Sequence, residues 1–281
     1  MWGSGDFVFE LSLKELFREI PIMGLPRLIR KASKKQPDHW TVKLSDWFQT
    51  PLGKAVFQVE ADIANQILPM RFGYHLLYCG IEAPDKIVSG SPIAHTFSAS
   101  AHPFRESWLP FVYGTSDALP LANQSVDCVI LQHSLDFENE PHQVLREAAR
   151  VLIPGGTLMI IGFNPLSIWS FSRLLNYRST EAPWLGRFIS PTRLSEWLQL
   201  LDLDVDGVET GFYLPPWQGL AQFKFLQRFK KIAKRFFTGQ GAVYVLVAKK
   251  NISCMTPVKP KWRAARRKVF NSPLATRIIH K

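Results

Sequence analysis

The stretch "SVDCVILQHSLDFENEPHQVLREAARVLIPGGTLMIIGF", residues 125–163, decides the fold. "SVDCVILQ" (125–132) is a short, nearly continuous apolar run, the pattern of a strand covered on both faces. "PHQVLREAARVL" (141–152) places Val144, Leu145, Ala148, Val151 and Leu152 on one helical face and stops at "IPGG". "TLMIIGF" (157–163) is a second buried strand. A strand, an amphipathic helix and a strand in succession form a right-handed crossover between parallel neighbours.

Outward from this unit the alternation continues. Upstream, "AVFQVEADIANQIL" (55–68) reads as a helix closed by Pro69 and "YHLLYCGI" (74–81) as a buried strand, while "HTFSASA" (95–101) and "PFVYGTSD" (110–117) read as weaker strands. Downstream, "SPTRLSEWLQLL" (190–201) opens with a serine cap and proline at the first helical position. "LDVDGVETGFYL" (203–214) and "AVYVLVAKK" (242–250) close the set as strands. The pattern predicts an α/β domain with a doubly wound, mostly parallel sheet.

Three pieces, "DALPL" (117–121), "SVDCVIL" (125–131) and "VLREAARVLIPGGTLMI" (144–160), agree in order and spacing with the second half of a class I S-adenosylmethionine-dependent methyltransferase. The chain resembles the type 11 subgroup of that family over roughly residues 50–250, and "GFNPLS" (162–167) resembles a poorly characterised bacterial branch of it. The resemblance implies a Rossmann-like, seven-stranded sheet whose last strand is antiparallel, with S-adenosylmethionine as cofactor. It also implies that Asp117 accepts a hydrogen bond from the adenine amino group and that the backbone of Ala118 faces the ring edge. Backbone atoms after the fourth strand, at Gln132 and His133, then meet the methionine end. Cys79 and Gly80 hold the place of the family's first-strand motif, but "IEAPDKIVSGSP" (81–92) lacks its glycine triplet and leaves little room for a full helix. The second strand offers Ser98, Ser100 and His102 where the family has an acid that grips the ribose.

Methyl transfer from a sulfonium is an in-line displacement, accelerated chiefly by alignment. A hydroxyl or thiol acceptor adds the need for a base. His133 is the candidate base and Asp136 its orienting partner; His142 is a second candidate. His142, Asn164 and Trp169 are expected to line the acceptor pocket, and the ten aromatic residues between Phe163 and Trp217 suit a flat or lipid-like acceptor. Each of these residues has a plainer reading as well: Asp117 as a turn residue, His133 as a capping or core histidine, the aromatics as core.

Net charge is +11, yet residues 249–281 hold ten Lys/Arg and no acid, so the other 248 residues carry 24 basic and 23 acidic side chains. "LAQFKFLQRFKKIAKRFF" (220–237) has an apolar stripe beside a basic one and no acid. Both segments suit peripheral contact with an anionic membrane; nucleic acid remains open on charge alone. The competing reading is a non-catalytic protein that keeps the fold and binds such polyanions. The expected organisation is a partly helical N-terminal extension (1–54), the methyltransferase-like domain (55–250) and a basic tail (251–281). Cys79, Cys128 and Cys254 are widely spaced and form no metal-ligand pattern. With no apolar run of about 18 residues, the expected location is the cytoplasm, or peripherally the inner face of its membrane. The sequence leaves the oligomeric state open.

Overall fold

The computed structural model describes residues 38–81, 84–100, 107, 109–167, 169–170, 182–216 and 239–251. The basic stretch 220–237, residues 252–281 and the helical stripe at 11–20 lie outside the described residues. Seven strands form one sheet in the order β3-β2-β1-β4-β5-β7-β6. They are β1 His75–Cys79, β2 His95–Ser100, β3 Phe111–Tyr113, β4 Val126–Gln132, β5 Leu152–Phe163, β6 Leu203–Gly211 and β7 Val243–Lys250. The first five pair in parallel, and β7 runs antiparallel between β5 and β6. This is the Rossmann-like sheet that the resemblance implies, including its antiparallel final strand.

Two cores flank the sheet. One face packs against α1 (Asp38–Phe48), α2 (Pro51–Ile67) and the single-turn α3 (Asp85–Val88), through Leu44, Phe48, Val56, Ala61, Leu76, Tyr78 and Ile130. The other packs against α5 (Pro141–Val151) and α6 (Pro191–Gln199), through Val144, Leu145, Leu194, Leu198, Leu77, Val129 and Leu158. The four-residue α4 (Ser134–Phe137) follows β4 directly. Strand residues alternate between the two cores, which is why β4 and β5 read as unbroken apolar runs.

Local chemistry sets the ends. Thr50 caps α2 by accepting from Gly53 N at 3.1 Å, so the helix starts at Pro51, four residues before its sequence-based start. Helix α1 adds Leu44 and Phe48 to the core, so packing extends back into the segment expected as an extension. "IPGG" bulges out of the ladder between the pairs Val126–Leu152 and Cys128–Thr157, and the turn uses Gly155 at φ 80°. Lys250 reaches the open end of α5, donating to Ala149 O at 2.6 Å and Leu152 O at 2.8 Å. Among the described residues no helix is long and apolar enough to cross a membrane.

Candidate active site

Strands β1 and β4 end side by side at the carboxyl rim of the sheet, where doubly wound sheets bind ligands. Beneath that rim lies a chain of buried polar side chains. Tyr78 Oη donates to Gln132 Oε1. Gln132 Nε2 donates to Glu60 Oε2 at 2.8 Å, and Glu60 Oε1 meets His133 Nε2 at 2.9 Å. His133 Nδ1 meets Asp136 Oδ2 at 3.0 Å, and the same oxygen accepts from Phe163 N at 3.0 Å. The imidazole stacks on Phe163 with ring centroids 4.2 Å apart.

His133 sits in the left-handed region at φ 53°, between β4 and α4, so its side chain turns back under the rim. Burial alone would lower its pKa; the Glu60 charge and the hydrogen bonds to Asp136 and Glu60 overcome that and push it up to about 9. Burial pushes the Asp136 carboxyl up, against the pull of the imidazolium. Both ring nitrogens meet carboxylates, and the raised pKa favours the protonated ring, which has no lone pair to take a proton. The orienting contact expected from Asp136 is present. Nothing in the sequence reading had assigned Glu60 to this network.

The other expected residues separate clearly. The Cys79 thiol is buried and pushed up to about 12 by that burial, and its carbonyl is taken by Ser134 Oγ at 3.1 Å. Gly80 is required by packing: a Cβ there would lie 2.4 Å from Tyr78 Oη. The side chain of Gln132 is consumed within the network, leaving only its backbone for a ligand. Asn164 is buried, donating to Gly239 O and Gly241 O at 2.9 Å each, so it ties two loops together instead of facing a pocket. Trp169 is also core: it is 1% exposed, donates to Leu214 O at 2.8 Å and meets the rings of Trp47, Phe163, Trp184 and Phe212. Trp169, Trp184 and Phe212 thus build one wall of the core, while Phe171, Tyr177 and Trp217 lie outside the described residues.

Asp117 and Ala118 remain accessible, half-buried and exposed respectively. Their loop is clamped from α5. Glu147 accepts from Leu119 N at 3.1 Å, while Arg150 pairs with Glu147 at 2.8 Å and donates to the carbonyls of Leu119 and Leu121 at 2.9 and 2.8 Å. Among the described residues, the Asp117 carboxylate accepts no hydrogen bond. Among the described residues Asp85, at the start of α3, has both carboxylate oxygens buried and no hydrogen-bond partner.

His142 lines an open cavity of about 620 Å³ between the starts of α5 and α6 and the loop after β5. Arg146, Arg187, Arg193, Trp197 and Pro165 also line it. Sequence reasoning placed His142 at a pocket but missed the arginines beside it, although two i, i+4 pairs, His142–Arg146 and Arg193–Trp197, already marked the facing sides of the two helices.

A family model described as "Methyltransferase domain" matches residues 82–160. YafS of Escherichia coli, itself uncharacterised, is 31% identical over 171 residues, covering 61% of this chain and 69% of YafS. The chain belongs to the class I methyltransferase family. The Chlamydia pneumoniae demethylmenaquinone methyltransferase is 30% identical over 37% of this chain and 50% of its own length. The ubiquinone/menaquinone biosynthesis C-methyltransferase UbiE of Cereibacter sphaeroides is 27% identical over 55% of this chain and 60% of its own. This chain therefore spans only half to three-fifths of these two quinone enzymes. A possible histamine N-methyltransferase from Thermotoga maritima superposes with a TM-score of 0.55 at 16% identity, covering 76% of this chain and 97% of that one. The putative methyltransferase complexed with Haloferax volcanii Trm112 gives 0.55 at 18% identity, covering 77% and 96%. At these identities the two structures bear on the fold alone.

Family membership makes this an S-adenosylmethionine-dependent methyltransferase domain. The residues present fit that cofactor: among the described residues Asp85, which follows β1, has buried carboxylate oxygens with no partner, and Asp117, which follows β3, accepts no hydrogen bond.

Proposed function

We propose that the protein transfers the methyl group of S-adenosylmethionine in line to a small acceptor with an apolar body. The bound cofactor supplies the electrophilic methyl on a sulfonium that leaves as a neutral thioether. Asp117 accepts from the adenine amino group and the Ala118 backbone lies along the ring edge, with Arg150 and Glu147 fixing their loop. Asp85 accepts from the ribose hydroxyls, in place of the acid missing after β2. His133 and Asp136 hold the turn after β4 in shape, and alignment supplies the acceleration. The observation that carries this reading is the Asp117 carboxylate, which accepts no hydrogen bond among the described residues, on a loop that Glu147 and Arg150 hold through three hydrogen bonds.

Replacing Asp117 by alanine is expected to weaken S-adenosylhomocysteine binding about tenfold or more, the worth of one hydrogen bond to a charged group. Calorimetric titration of both proteins measures it; equal affinities contradict the assignment.

We propose further that residues 220–237 and 252–281 bring the domain to anionic membranes from the cytoplasmic side. Sequence charge supports this. Lys249 and Lys250 belong to β7, so the arm that matters starts after Asn251. Vesicles containing phosphatidylserine are expected to sediment the full chain and much less of a chain ending at Asn251. Equal sedimentation of the two contradicts it.

A further inference from the structure

Three guanidinium groups, Arg146, Arg187 and Arg193, line the cavity between α5 and α6, and among the described residues Glu140 is the only acid on its wall. Among the described residues none of the three pairs with a carboxylate. Arg146 Nε donates to His142 O at 3.3 Å, Arg187 Nη1 to Asn139 O at 3.4 Å, and Arg193 lies 5.3 Å from the centroid of the Trp197 ring. Among the described residues the three guanidinium groups have no further hydrogen-bond partner. Like charges gathered on one wall repel, so the arrangement gains when an anion enters.

Two further features add to the field. His142 and Ser190, at the first turn of α5 and the cap of α6, both line the cavity, so two helix N-termini reach it. The cap of α5, Glu140, makes no side-chain capping hydrogen bond. Trp197 and His142 form an aromatic wall, with centroids 3.9 Å apart. The cavity also adjoins the sheet rim: Phe188 in its lining stacks on Phe163 at 5.1 Å, and Pro165 lies just beyond the end of β5.

We propose that this cavity is the acceptor's anchoring site and that the acceptor carries an oxyanion, a carboxylate or phosphate, on a planar body. The oxyanion takes bidentate hydrogen bonds from Arg146 and Arg193, with Arg187 completing the clamp, while the body lies against Trp197 and His142 and points toward the rim. The proposal rests on the methyl-transfer reading and narrows its acceptor from an apolar molecule to an amphipathic, anionic one.

The test titrates the full chain at constant ionic strength with salicylate and, separately, with inorganic phosphate, followed by calorimetry. S-adenosylhomocysteine is titrated in parallel, and Arg146→Gln/Arg193→Gln is the variant. The expected result is saturable salicylate binding that weakens about tenfold or more in the variant, with S-adenosylhomocysteine affinity and the thermal melt unchanged. Phosphate binding that behaves the same way makes the anchored group any oxyanion; salicylate alone makes it an aromatic carboxylate. Absence of saturable binding by either anion, or equal affinity in the variant, overturns the site while leaving the cofactor reading intact. Anion binding without S-adenosylhomocysteine binding overturns the acceptor role together with the methyl-transfer reading. Both arginines are exposed, so the variant is expected to fold; Arg193→Lys, which keeps the charge but loses the fork, should recover only part of the affinity.

Discussion

Replacing His133 by alanine is expected to lower the unfolding free energy by about 3–5 kcal/mol, because it leaves buried carboxylates without a counter-charge. Glu60 and Asp136 have side-chain exposures of 0% and 1% and meet opposite nitrogens of the same ring. Alanine removes the cation, both hydrogen bonds and the ring that stacks on Phe163. It also places a residue with no polar side chain in the left-handed region, where asparagine is tolerated better. Urea unfolding measures the loss; a change below about 1 kcal/mol would show that the trio is not a buried ion network.

The same network gives a pH signature. Glu60 and Asp136 push the His133 pKa up to about 9 from its ordinary 6.5, so between these values the folded chain holds more protons than the unfolded one. Its contribution is therefore full below about pH 6.5 and is lost as pH rises through about 9, amounting to about 3 kcal/mol. The wild type should lose stability over that window relative to His133→Asn, which has no titrating ring. Parallel pH profiles for the two would mean the imidazole is neutral.

Replacing Trp169 by alanine is expected to cost about 3–5 kcal/mol of stability, the usual range for a fully buried aromatic. The indole fills the space among Trp47, Phe163, Trp184 and Phe212, and it alone provides the Nε1 donor to the Leu214 carbonyl. The folded fraction should bind S-adenosylhomocysteine as the wild type does. Unchanged stability with lost ligand binding would return Trp169 to the pocket, where the sequence had suggested it.

The contrast between Trp169 and the crossover unit shows which parts of the molecule are readable in advance. β4, α5 and β5 were legible because burial on both faces forces uninterrupted apolar strands and a strict apolar stripe on the helix between them. Aromatic density carries no such direction. A tryptophan lining a pocket and one closing a core have the same composition and spacing, and only packing separates them. Gly80 carries a second constraint that local sequence does not show: a Cβ there would meet the hydroxyl of Tyr78. Glu60 did leave a trace. It lies on the buried stripe Val56, Phe57, Ala61 and Ala64 of α2, where an acid needs a partner. That partner, 73 residues away, could not be read from local sequence. The arginine cavity depends in the same way on two helices meeting across the end of the sheet.

The most direct measurement is a crystal structure of the full chain with S-adenosylhomocysteine at saturating concentration. The expected result is the adenine amino group within hydrogen-bond distance of Asp117, the ribose at Asp85 and the thioether sulfur facing the mouth of the arginine-lined cavity. Electron density without ligand at this rim, or with the adenine placed away from Asp117, would contradict it.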